Sequence, residues 1–109
     1  MARLATGLWV SAYLMRLSLE GIHAHVARKG DVTAGAVAVK VATMNGRASF
    51  LTRGYRPDGR VGWQSQIEDA DEAAVDAALA RQRGYDPDLW VIEVEDPRGR
   101  HMLDAPGLE

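Results

Sequence analysis

The 109-residue sequence predicts an α+β fold, a mostly antiparallel sheet of five or six strands with two helices, in the order β-α-β-β-β-β-α-β. Three stretches carry that expectation. Val37, Val39 and Val41 alternate with Ala36, Ala38 and Lys40, the period of two of a strand with one bulky and one small face. Met44-Asn45-Gly46-Arg47 and Arg56-Pro57-Asp58-Gly59-Arg60 are turn sequences set between strand-like runs. From Glu68 to Arg83 carboxylates come first, alanines fill the middle and arginines close, which suits a helix and its dipole.

Taken in order, Leu4–Val10 reads as a short strand with Leu8, Trp9 and Val10 at its buried end. Ser11 then serves as N-cap of a helix to about Glu20, with Tyr13 and Arg16 toward water. Gly21 stops that helix, because a residue past a helix end often needs positive φ, and Ile22 can fold back on Leu17. A strand follows at Ile22–Arg28, and strand-helix-strand over so few residues suggests a right-handed parallel crossover. Asn45-Gly46 favours a type I′ hairpin pairing Gly35–Thr43 with Ala48–Tyr55, and the Pro-Asp-Gly turn adds Val61–Ile67 to make a meander. Asp69 and Glu72 resemble a capping box, Gly84 ends the second helix, and Leu89–Glu95 is the last long strand. His101–Leu103 could return briefly, and residues 105–109 are expected to fray. Both helices are expected on one face of a single domain spanning 1–109, the alanine-rich one close against the alanine side of the central strand.

Composition narrows the chemistry. With no cysteine, disulfides, thiolate nucleophiles and thiolate-bound metals are excluded together, in keeping with a reducing cytoplasm. Arg3 and the apolar Leu4–Met15 outline an export signal, but Arg16 and Glu20 follow at once and no small-x-small cleavage site comes next. A cytoplasmic chain is therefore expected. No run approaches the ~20 apolar residues of a membrane span. Residues 1–60 hold nine Lys or Arg against three Asp or Glu, a formal +6, whereas 61–109 hold four against twelve, a formal −8. Halves of opposite charge are expected to interleave in one sheet and neutralise each other.

Several residues are candidates for function. His23 and His25 stand two apart on a strand, so their rings share a face, a spacing that serves a metal if Asp31, Glu93, Glu95 or His101 supplies a third ligand. Asp31 sits in a glycine-bearing loop where it can close an Asx-turn, with Gly30 supplying an unusual dihedral; alternatively it holds a cation or acts as a base, with Arg28 and Lys29 beside it to bind an anion. Gly35 marks a bulge or a close backbone approach. Asp86 and Asp88 flank Pro87, and only burial would separate their pKa values enough for acid/base work. In the meander, Lys40, Arg47, Arg53, Arg56 and Arg60 run with Phe50, Tyr55 and Trp63 between them, a pattern that can bind single-stranded nucleic acid. The acidic pI of about 5.9 argues against that use. No phosphate-loop or dinucleotide fingerprint is present, and no cofactor is called for.

The Trp9 opening, Gly30-Asp31-x-x-Ala34-Gly35-Ala36-Val37, and Asp86-Pro87-Asp88-Leu89-Trp90-x-Ile92-Glu93-x-Glu95-Asp96 resemble one bacterial family. It is the domain-of-unknown-function family numbered 1491, small proteins mostly of alphaproteobacteria, and the likeness runs from about Leu4 to Leu103. The resemblance implies kinship, a cytoplasmic bacterial setting and a single domain, and no activity.

The function expected is therefore a non-enzymatic cytoplasmic binding or interaction domain, with Arg28, Lys29, Asp31, Lys40 and Arg53 as binding residues and a homodimer through a strand edge as the possible assembly. A small metal-dependent or acid/base hydrolase using His23, His25 and Asp31 is the alternative, and it requires those groups in one pocket. An RNA-contacting sheet is the second alternative, and it requires binding that weakens steeply with salt.

Overall fold

The computed structural model describes residues 4–55 and 57–108. Helix α1 (Thr6–Leu19) leads into β1 (His23–Arg28), β2 (Val37–Ala42), β3 (Arg47–Tyr55) and β4 (Val61–Asp71), then α2 (Glu72–Tyr85) and β5 (Trp90–Glu95). Two helices and one five-stranded, mostly antiparallel sheet make this an α+β fold. The strand order is β1-β5-β2-β3-β4, so β2 is the central strand, buried along its whole length.

The expected opening strand is instead helix. Thr6, Trp9, Val10, Tyr13 and Leu17 are the buried positions of α1, spaced by three and four residues, so Leu8-Trp9-Val10 belongs to a helical stripe. Tyr13, expected in water, is fully buried, while Leu8 is exposed and Ser11 lies inside the helix. No side chain caps α1. Its first amides are instead satisfied by the loop after β1: Thr6 and Gly7 donate to the carbonyls of Thr33 and Val32, at 3.2 and 2.8 Å. The far end follows expectation, with Gly21 at φ 72° and the Ile22 amide reaching the Leu17 carbonyl at 2.9 Å.

Among the described residues no strand precedes α1, so the expected crossover is not made, and β1 pairs antiparallel with β5 alone. The parallel pair is β2 with β5, joined through β3, β4 and α2. The β2-β3-β4 meander forms as expected. Its first turn is not type I′: positive φ falls on Met44 and Gly46, and Asn45 uses its side-chain oxygen to accept from Thr43 Oγ1 and the Arg47 amide. Asp69 stays within β4 instead of capping α2, which starts after Asp71 without a side-chain cap; the Glu72 amide donates to the Gly46 carbonyl. Gly84 lies inside α2, which runs to Tyr85.

The two helices occupy opposite faces, not one. Val37, Val39 and Val41 share a cluster with Trp90, Ile92 and Val94 and with Trp9, Tyr13 and Leu17 of α1. Ala38, Ala48, Phe50 and Val91 cluster with Val75, Ala78 and Leu79 of α2. The alanine-rich helix thus lies on the alanine side of β2, as its composition predicts. Beyond β5 there is no return strand at 101–103. The last residues pack on the valine side: Leu103 and Leu108 are buried, Tyr13 Oη donates to the His101 carbonyl at 2.7 Å, and Trp63 Nε1 donates to the Leu108 carbonyl at 2.8 Å. The tail is therefore tied down as far as Leu108, with Glu109 outside the described residues. Among the described residues no helix is long and apolar enough to cross a membrane.

Candidate functional site

Helix α2 packs over β2, β3 and β4, so on its side of the sheet β5 and the edge strand β1 are left beside it rather than beneath it. A groove of about 630 Å³ follows, floored by Ala27 and Val91, walled by Leu79 and Ala80, and charged at its ends by Arg28 and Arg83 and by Lys40, Asp76 and Glu93.

Lys40 is the buried charge of the central strand, only 4% exposed. A lone buried ammonium would be costly, and α2 and β5 answer it with three carboxylates. Lys40 Nζ lies 2.7 Å from Glu72, 2.7 Å from Asp76 and 3.4 Å from Glu93. Burial pulls its pKa down, but hydrogen bonds to Asp76 and Glu72 and the charge of Glu93 outweigh it and hold it above the ordinary lysine value. Lys40 is thus fully engaged, not a cation waiting for an anion. Sequence reasoning missed Glu72 and Asp76. The signal was present: a charged residue inside an otherwise apolar central strand must have partners of opposite charge within reach.

On the same side, the histidine pair gains its third group. The register sets His23 opposite Glu95 and His25 opposite Glu93. Because Glu93 turns to Lys40, Glu95 reaches both histidines, its Oε1 3.7 Å from His23 Nε2 and 3.7 Å from His25 Nδ1. One ligating atom from each of the three residues lies within 4.8 Å of the others.

Asp31 is not in that group. His25 and Arg28 are three positions apart on β1, roughly 10 Å at strand rise, and Asp31 lies beyond Arg28. Its carboxylate accepts from the amides of Thr33 and Ala34, closing its own loop. Its amide donates to the Asp88 carbonyl, and its carbonyl accepts from Trp90 Nε1. The 29–35 loop and the 85–88 turn therefore meet backbone to backbone. A Cβ on Gly30 would stand 2.1 Å from the Asp88 carbonyl oxygen and one on Gly35 2.5 Å from it, so both glycines serve close approach, and Gly30 has no positive φ. Asp86 accepts from the Asp88 amide in a turn, while Asp88 is exposed. The hydrolase set of His23, His25 and Asp31 is not brought together.

Among the described residues, the basic side chains of the meander do not form a shared platform. Arg47 pairs with Asp69 and Asp71, and the Arg53 guanidinium lies 5.4 Å from the Trp9 ring and 5.7 Å from the Trp63 ring. Phe50 is buried, Arg60 and Tyr55 are exposed, and Arg56 lies outside the described residues. Lys29 is exposed, its carbonyl taken by Arg83. The first-half cations Lys40 and Arg47 are answered by second-half carboxylates, the interleaving that the charge split predicts. His101 lies at the tail, its Nδ1 accepting from the Leu103 amide, away from the pair on β1.

The family model of a protein of unknown function, DUF1491, matches residues 4–104. A crystal structure of a DUF1491 family protein from Caulobacter crescentus CB15 is 43% identical over 93% of this chain and 95% of its own, with a TM-score of 0.83. An NMR structure of a DUF1491 family protein from the same organism is 42% identical over 94% of each chain, with a TM-score of 0.80. A solution structure of a protein from A. tumefaciens is 27% identical over 86% of each chain, with a TM-score of 0.74. No curated protein matches the chain.

Proposed function

Since the chain belongs to the DUF1491 family of proteins of unknown function, we propose from its geometry that it is a non-enzymatic cytoplasmic interaction domain that pairs with a second copy of itself through the outer face of α1. One observation carries the reading: α1 is apolar on both sides. Its inner stripe is core, and Arg16 is the only charged residue in the helix. Its outer stripe of Leu8, Met15 and Leu19, with Leu4 just ahead of it, is exposed by 59, 62, 80 and 59%. Ala12 fills the position between Leu8 and Met15, giving the 4-3-4 spacing of a helix–helix seam. A helix that is apolar on two opposite sides is normally covered on both, and a continuous apolar patch of this kind marks a contact surface.

A second copy is the fitting occupant because a two-fold axis lays such a stripe on itself, antiparallel, with no other surface required. The sheet edges offer less. β1 is short, carries charged and imidazole side chains, and shifts register between Val26 and Arg28; β4 is irregular opposite Ala48, Phe50 and Leu51. The lack of cysteine supports the reducing compartment. Sedimentation velocity tests the proposal. The wild-type chain should sediment at twice its chain mass, and the Leu8→Glu/Met15→Glu variant should be monomeric with an unchanged circular dichroism spectrum. A monomeric wild type, or a variant that stays dimeric, would contradict it.

A further inference from the structure

We infer that His23, His25 and Glu95 form a binding site for a first-row divalent metal ion of the zinc class, on the open side of the β1–β5 pair. The geometry is set by the backbone. Alternation along β1 puts both imidazoles on one face, and antiparallel register brings Glu95 across from His23 on the adjacent strand. The three residues sit on paired strands, one of them flanked on both sides in the sheet, so the ligands ride on a rigid frame rather than on a loop.

The donor set fits the ion. Two imidazoles and a carboxylate suit Zn²⁺ and its neighbours, and a set of three protein ligands leaves a coordination position open. Ligand atoms around one zinc at about 2.0–2.2 Å stand roughly 3.0–3.5 Å apart. The observed 3.7 Å from Glu95 to each histidine, with all three ligating atoms within 4.8 Å of one another, is closed onto an ion by side-chain rotation. Lys40 matters here by what it removes. It holds Glu93, which faces His25, and among the described residues Glu95 has no lysine or arginine partner that would compete with a metal. Three carboxylates against one ammonium next door add a negative field that favours a cation. The histidine side chains are 74 and 49% exposed and that of Glu95 27%, so the ion would face solvent and exchange, unlike a closed structural zinc.

Zinc chloride titrated into the full-length chain, followed by ¹⁵N–¹H correlation spectra and calorimetry, tests the site with a readout separate from the α1 interface. One equivalent should bind per chain, with the largest shifts at His23, His25 and Glu95. Glu95→Gln should raise the zinc Kd at least about tenfold, and the His23→Ala/His25→Ala double variant should abolish binding. These side chains are exposed or half-exposed, so the variants should keep the wild-type spectrum elsewhere and a failure to fold would not confuse the result. Absence of zinc binding up to about 1 mM, or binding that survives the double variant unchanged, would overturn the assignment.

Discussion

The two faces of β2 are built from the same six residues and end in opposite conditions. On one side three valines, continued by Trp90, Ile92 and Val94, meet the aromatic stripe of α1, and the chain then spends its last residues closing that layer with Leu103 and Leu108. On the other side Ala38 and Ala42 are flat, and α2 settles over β2–β4 while the β1–β5 half is left open. Bulk on a strand face calls for a thick apolar layer; smallness lets one helix pack against the sheet. The charged cluster of Lys40 and the His23–His25–Glu95 group both lie on the open side. The α1 side hides its chemistry in packing and instead turns a second apolar stripe outward.

If the faces differ in this way, damage to them should differ in size. The largest effect belongs to the valine side. Leu17 is fully buried, and Leu17→Ala should cost ~2–5 kcal/mol in denaturant unfolding, because it removes buried apolar atoms and leaves a cavity in that layer. On the alanine side the counterpart is electrostatic. Lys40→Met should cost about 3 kcal/mol by leaving Glu72, Asp76 and Glu93 facing one another, toward the low end for a broken buried pair because those carboxylates reach water. A neutral Lys40→Met variant would mean that the cluster contributes nothing and that the open face is an accident of packing.

The smallest effect is a pH dependence in mild acid on the valine side. Burial lowers the His101 pKa, against a smaller upward pull from Asp104, and its Nδ1 accepts from the Leu103 amide at 3.0 Å. The folded value lies below the unfolded one, so the unfolded state binds the proton more readily. The stability this residue lends is complete above the ordinary histidine value of about 6.5 and is lost as pH falls through the lowered folded value. Thermal midpoints should therefore drop in mild acid, and His101→Gln should flatten that part of the profile.

How much of this the sequence revealed depended on whether a signal was local. The valine–alanine alternation, the Gly21 stop and the Pro57-Asp58-Gly59 turn are decided within a few residues, and each appears where it was expected. The start of α1 was not, since Leu8-Trp9-Val10 is a short apolar run that either helix or strand can bury. Its true neighbours, the Val32 and Thr33 carbonyls, are distant in sequence, and so is the Gly46 carbonyl that receives α2. Asn45 and Asp69 gave strong local signals that took other forms, Asn45 accepting from Thr43 and Arg47 inside its own turn and Asp69 held by Arg47 from the neighbouring strand. The site followed the same rule. His23 and His25 were legible as a pair, but the choice of Glu95 among four candidate ligands depended on strand register and on Lys40 holding Glu93. That the helices take opposite faces follows from the parity of β2, once its valines are assigned to α1.

Methyl NOEs from the central strand test the division of the sheet most directly. The Val39 methyls should show NOEs to Tyr13 and Leu17 and none to α2, whereas the Ala38 methyl should show them to the Val75–Leu79 side of α2. Val39 methyls in contact with α2, or Ala38 in contact with α1, would contradict it.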